Sequence, residues 1–328
     1  MKLYSFISMR YRQNSALTLF TCALAMIVIT LGAYTRLTNA GLSCPDWPHC
    51  YGFLTAPHTA TQLTDAIQRF PSTPVDTTKA WTEMTHRYFA GTEGILILCL
   101  SVGLLITRKA KNLRSKCTAL TLLGLLGVQV LLGMLTVTEK LKPVIVLSHL
   151  LTGIAILTVL WWTYLDLHLS RHAFIPKVQT RAKPWLFLAC LIVIAQIALG
   201  GWVSSHSAGL ACIDFPFCQG TWMPTLHWQQ LNTDLITIHM LHRIGAAITA
   251  AYLSILSICL LKNSALRAFA YGIMGLLLAQ LTLGILNILW LRPIWIALAH
   301  QSVAIILLLS LIACFVKATF MVDKQHDA

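Results

Sequence analysis

Eight apolar runs, each about 20 residues or longer, dominate the sequence. A helix needs about 20 apolar residues to cross the hydrocarbon of a bilayer. Inside lipid its backbone groups must satisfy one another. The runs predict eight spanning helices over roughly 15–35, 84–107, 117–138, 143–166, 185–204, 237–261, 267–290 and 293–320. Only 11% of residues are charged, against about a quarter in soluble domains, which excludes a cytosolic globular enzyme. With 57% of residues hydrophobic, a disordered chain is excluded too. The fold class is an all-α polytopic membrane protein.

A net charge of +13 invites a nucleic-acid reading, but the bases are not gathered in one patch with interleaved aromatics. They sit in short clusters between apolar runs: Arg108, Lys109, Lys111, Arg114 and Lys116; Arg171, Lys177, Arg181 and Lys183; Lys262 and Arg267. Lys2, Arg10 and Arg12 precede the first run. Cytoplasmic loops carry such bases, so both termini are expected in the cytoplasm and the longer loops, about 36–83 and 205–236, outside. The first run is longer than a signal-peptide core and lacks a small-residue cleavage site, so it is read as a retained helix. The short basic N-terminus leaves little room for an organelle transit peptide, and a bacterial inner membrane is expected.

The outward loops repeat one another. The tract Gly41-Leu42-Ser43-Cys44-Pro45-Asp46-Trp47-Pro48-His49-Cys50 aligns with Gly209-Leu210-Ala211-Cys212-Ile213-Asp214-Phe215-Pro216-Phe217-Cys218, an offset of 168 residues. His86-Arg87 corresponds to His242-Arg243 at an offset of 156, and His149 to His300 at 151. Two tandem four-helix bundles follow, 1–170 and 171–328. An even helix count per half makes the repeats parallel, related by a pseudo-two-fold axis along the membrane normal. Such a chain can build two similar sites.

Ionisable residues inside a membrane are costly and are functional candidates. The duplicated His86, His149, His242 and His300 lie 17 to 22 residues from the basic flank (His86 to Arg108 is 22, His300 to Lys317 is 17). At 1.5 Å per residue that is about 26–33 Å from the inner edge. Each half thus has two histidines at one depth, on its second and fourth spans. Facing imidazoles in a bundle core suit the two axial positions of a haem iron. The competing reading is plain interhelical hydrogen bonding. Zinc would need third and fourth ligands that are not at suitable spacing. Arg87 and Arg243 follow a histidine directly and are candidates either for haem propionates or for interfacial anchoring.

The repeat breaks at one place. Glu83 stands three residues before His86, where the second half has His239 before His242. A residue at that spacing shares the helix face, so one site has a carboxylate placed for proton transfer. The bland alternative puts Glu83 at a helix N-terminus, where negative charge is favoured. Glu93, deeper in the same span, is matched by Thr249 and has no assigned role. Cys44/Cys50 and Cys212/Cys218 lie in outward loops, where disulfides are the natural state. The other six cysteines are expected to pack as small hydrophobes. Gln129-x-x-x-Gly133, Gln196-x-x-x-Gly200 and Gln280-x-x-x-Gly284 recur, and their glycines are read as close helix contacts.

Taken together these residues resemble the haem A synthase family. The resemblance spans nearly the whole chain and is carried by Gly41-Leu42-x-Cys44-Pro45-Asp46-Trp47-Pro48-x-Cys50, Glu83-x-x-His86-Arg87, His149, His242-Arg243 and His300. It implies a substrate, haem O, whose ring methyl is oxidised in steps to the formyl of haem A. It implies haem b between His242 and His300, haem O between His86 and His149, and Glu83 assisting the chemistry. The implied partners are the enzyme that makes haem O, an assembling terminal oxidase and an electron acceptor of unknown identity. Glu93 and His239 are outside the family pattern. Two other functions fit the residues alone: a di-haem, cytochrome-b-like electron carrier, and a haem carrier without chemistry.

Overall fold

The computed structural model describes residues 2–106, 113–169 and 181–320, with side chains over 15–106, 113–168 and 181–319. Arg108, Lys109, Lys111, Arg171 and Lys177 of the basic clusters lie outside the described residues, as do the side chains of Lys2, Arg10 and Arg12. The described chain is helical: α1 (Lys2–Leu37), α2 (Ala60–Arg69), α3 (Thr77–Ile106), α4 (Leu113–Thr138), α5 (Pro143–Leu169), α6 (Lys183–Ser205), α7 (Leu235–Leu261), α8 (Arg267–Leu289) and α9 (Ile294–Phe320). Eight of these, all but α2, are long and apolar enough to cross a membrane. Their outward faces carry exposed Ile95, Leu98, Val102, Leu188, Leu191 and Leu278, the surface a helix presents to lipid.

The first helix begins at Lys2 rather than at 15, and two further differences from expectation have local reasons. The third helix begins at Thr77, seven residues before the expected 84, because Asp76 caps it by accepting the Lys79 N–H at 3.0 Å. Glu83 therefore lies well inside a helix, and the helix-terminus reading of this residue is corrected. The loop before it holds an unexpected helix, α2. Thr59 and Gln62 form its capping box, a signal present in the sequence but overlooked because no apolar run follows it.

The chain divides into two compact units, Met1–Leu160 and Trp161–Ala328. In the first, α3 packs on α1 and α4; in the second, α6 packs on α7 and α9, while α8 packs on α7 and α9. The first unit's disulfide loop and the start of α3 share a core of their own: Cys44, Cys50, Tyr51, Ala56, Ala66, Ala80 and Met84. Tyr51 meets Phe70 edge-to-face at 5.5 Å and donates its hydroxyl to the Pro74 carbonyl. The second unit's loop is leaner, with Cys212, Cys218 and Met240 buried together.

Candidate functional site

Each of the two duplicated loops is tied down in the same way. Cys44 is bonded to Cys50 and Cys212 to Cys218. Inside the first ring Asp46 accepts the N–H groups of Tyr51 at 2.6 Å and Gly52 at 2.8 Å. Asp214 accepts those of Gln219 at 3.0 Å and Gly220 at 2.6 Å. These bonds hold Asp214 below its ordinary carboxylate pKa, the Gly220 N–H contributing most. Burial pushes the Tyr51 phenol up, and the nearby carboxylates add to the effect. Tyr51 and Gln219 both take positive φ, 55° and 53°, so the duplication extends to backbone conformation.

Arg87 and Arg243 close the loops from below. Arg87 Nη1 donates to the carbonyls of Asp46, Pro48 and His49 at 3.1, 3.1 and 2.7 Å, and its Nη2 pairs with Glu83 Oε1 at 2.5 Å. Arg243 donates to the carbonyl of Phe217 at 2.9 Å and to that of Pro216, and lies over the Phe215 ring at 5.3 Å. Both guanidinium groups are thus engaged by loop carbonyls.

Below the loops stand the four duplicated histidines, each against a glycine of a neighbouring helix. A methyl on Gly32 of α1 would come 3.0 Å from His86 Cε1. On Gly133 of α4 it would meet His149 Cε1 at 3.3 Å, on Gly200 of α6 His242 Cε1 at 3.1 Å, and on Gly284 of α8 His300 Cε1 at 3.1 Å. Only a residue without Cβ leaves room for the rings as they lie. The residue four positions before each glycine also touches the ring. The backbones of Val28, Gln129 and Gln280 bond His86, His149 and His300, and the Gln196 amide bonds His242 Nδ1 at 3.0 Å. The Gln-x-x-x-Gly repeats are therefore histidine cradles as well as helix contacts. Val28 and Gly32 went unnoticed in the sequence, although Gly32 and Gly200 share the 168-residue offset of the loops.

In the second unit the His242 and His300 rings meet edge to face, their centroids 6.4 Å apart and their planes at 80°. Buried Nδ1 atoms of His86, His149 and His300 have no hydrogen-bond partner, an uncommon state that calls for an explanation. Among the described residues no three His, Cys, Asp or Glu side chains gather as a metal site. A metal held by two imidazoles alone must bring its remaining ligands with it.

At the broken position of the repeat, Glu83 is buried, its side chain 5% exposed. Its Oε2 accepts the N–H groups of Ser43 and Cys44, both at 2.9 Å. The counterpart His239 is also buried and bonds the backbone of Ala208 instead. One unit therefore joins its disulfide loop to the histidine helix through a carboxylate, and the other through an imidazole. Glu93 is buried on α3 near Cys22 of α1.

Residues 15–312 match the family of cytochrome oxidase assembly proteins known as COX15-CtaA. This chain belongs to that family. A protein of Shewanella oneidensis named heme A synthase is 38% identical over 309 residues, covering 89% of this chain and 92% of its own length. Proteins of the same name from Neorickettsia sennetsu and Allorhizobium ampelinum are 29% and 27% identical, each over about nine-tenths of both chains. For a member of this family the imidazole pairs can be tested against haem. Two metal–imidazole bonds of about 2 Å each, extended to the ring centres, span about 6 Å, which matches the 6.4 Å between His242 and His300. The free ring nitrogens and the missing further ligands are what a haem iron would supply and require. The residues fit the group.

Proposed function

We infer that this chain is a haem A synthase, a membrane oxidoreductase that converts a ring methyl of haem O to the formyl group of haem A for terminal oxidase assembly. The observation that carries this reading is the asymmetry between two otherwise matched imidazole cradles. One has Glu83 one turn outward from its histidine, and the other has His239. Two equal electron-transfer sites have no need of that difference, whereas a substrate site paired with a cofactor site does.

In this reading His86 and His149 hold the substrate, haem O, and His242 and His300 hold haem b. When bound, haem b supplies one-electron transfer. With an electron acceptor as the oxidant, turning a methyl into a formyl takes its oxygen from water and gives up electrons and protons, and Glu83 is the acid–base group placed to receive the protons. Its oxygens are already bonded by Arg87, Ser43 and Cys44, so a proton arriving on Glu83 competes with the bonds that hold the Cys44–Cys50 loop. Gly32 and Gly133 keep the first pair's neighbouring helices close without crowding the rings. In this reading the protein sits in a bacterial inner membrane with both termini cytoplasmic and the disulfide loops outside, as the bases between its apolar runs suggest. It receives haem O from the enzyme that makes it and passes electrons to an acceptor.

The test is extraction and chromatography of haems from membranes expressing the chain together with a haem O source. Wild type is expected to yield haem A, and Glu83→Gln to accumulate haem O. If wild type yields only haem B and unmodified haem O while properly expressed, the synthase reading fails.

A further inference from the structure

Resting on the haem A synthase reading, we propose that the Cys212 N–H and the Arg292 guanidinium form a site for a carboxylate of haem b, at the place that Glu83 takes in the first unit. There the protein supplies the anion itself: Glu83 Oε2 accepts the N–H groups of Ser43 and Cys44, both at 2.9 Å. The matching pair in the second unit is Ala211 and Cys212, 168 residues on. The Ala211 N–H turns back to the Ala208 carbonyl at 3.0 Å. Cys212 is buried, and among the described residues no acceptor meets its N–H. A buried donor left unmet is expensive. His239, which replaces Glu83, bonds the Ala208 backbone and brings no carboxylate.

A cation stands close to this donor. The turns that lead into α5 and α9 match in backbone: Lys140 and Leu141 take φ of 49° and 57°, and Leu291 and Arg292 take 55° and 61°. The second residue of each pair lies on the glycine that opens its disulfide tract. A methyl on Gly41 would come 3.5 Å from Leu141 Cδ1, and one on Gly209 would come 3.5 Å from Arg292 Nη1. An apolar side chain in the first unit is thus a guanidinium in the second, laid on a glycine three residues before Cys212. Among the described residues no carboxylate or carbonyl meets that guanidinium.

Both halves of the site flank the haem ligands. His239, beside Ala208, stands one turn before His242, and Arg292 stands eight residues before His300, just ahead of α9. A haem carries two carboxylates on short flexible arms, and charge is driven from hydrocarbon toward the membrane rim. A guanidinium with a backbone N–H is a fitting receptor for such a group. Arg243 is already held by the Pro216 and Phe217 carbonyls. In the first unit Glu83 takes the equivalent donors, and its charge repels a second carboxylate there. The substitution that gives one unit its acid–base group therefore gives the other an anchor for a resident cofactor.

The experiment uses the full chain purified in detergent with its haem b. It reads haem b loss to excess apomyoglobin and the haem b midpoint potential. Arg292→Gln is expected to speed the loss about tenfold and to lower the potential, because removing a nearby positive charge favours ferric iron. Arg292→Lys keeps the charge and restores the potential. His239→Glu, which returns the first unit's carboxylate, speeds the loss about tenfold and lowers the potential, whereas His239→Gln does neither; a packing role would treat the two alike. Should His239→Glu fail to accumulate, the two Arg292 variants decide alone. Loss and potential unchanged in Arg292→Gln overturn the proposal. So does a wild-type potential that moves with added acetate against chloride at equal ionic strength, which makes the occupant a free carboxylate. If purified wild type holds no haem b, or keeps it in His242→Ala, the assignment of haem b to this unit falls instead.

Discussion

Glu83 bonds the Ser43 and Cys44 amides with one oxygen and Arg87 with the other. Replacing it by glutamine keeps an acceptor for the loop but removes the charge opposite a mostly buried guanidinium. Arg87 retains three loop carbonyls, so the stability loss is held to about 1–2 kcal/mol, below the range for fully breaking a buried pair. Turnover to haem A is expected to fall by about 10²–10⁴-fold, the usual worth of a positioned acid–base group. The two effects separate in a thermal melt followed by circular dichroism and a haem chromatogram of the same preparation. A protein that unfolds before it stops making haem A would remove Glu83 from the chemistry. Glycine is as constrained. Gly284→Ala places a methyl 3.1 Å from His300 Cε1, so the ring must shift by a few tenths of an ångström. Haem b retained after size-exclusion chromatography is expected to fall severalfold, and full retention would show that the ring has room to move.

At the scale of elements, each loop is a disulfide ring held from inside by an aspartate and from below by an arginine. Because Asp214 is held below its ordinary pKa, its contribution is present above about pH 4 and lost as the pH falls through the lower folded value. Amide exchange at Gln219 and Gly220 is therefore expected to quicken in acid relative to the pH trend of a free peptide, and Asp214→Asn to remove that step. Exchange that follows the free-peptide trend would contradict the assignment. The first loop has further support in α2, with its capping box at Thr59 and Gln62, and in the Tyr51–Phe70 contact. The richer scaffold belongs to the unit that carries Glu83.

For the whole molecule, the duplication makes two sites from one plan and lets a single substitution separate their roles. His242→Ala is expected to strip resident haem b from the purified protein, while His86→Ala leaves it in place. The reverse result exchanges the two halves. Orientation is checked with reporters: a C-terminal green fluorescent fusion is expected to fluoresce. A cysteine placed at the exposed Leu54 or Trp222 of the two disulfide loops is expected to react with an impermeant maleimide in intact cells. Labelling only after lysis would invert the topology.

The spans were legible in the sequence because lipid demands about 20 apolar residues per helix, a local requirement that needs no knowledge of neighbours. The duplicated loops and the recurring histidines were legible for a similar reason: a repeat keeps its spacing wherever it folds. The capping signals at Thr59 and Asp76 were present as well, though polar surroundings masked them. What the tertiary structure alone decided is which groups meet across helices. No periodicity along one helix shows that Gly32 of α1 backs His86 of α3, or that Gln196 of α6 bonds His242 of α7. Nor does sequence show that Arg87 and Arg243 turn to loop carbonyls, because their partners stand about 26 to 41 residues away. Such contacts depend on how antiparallel helices are set beside one another, and that is fixed by packing against small residues rather than by any helix's own composition.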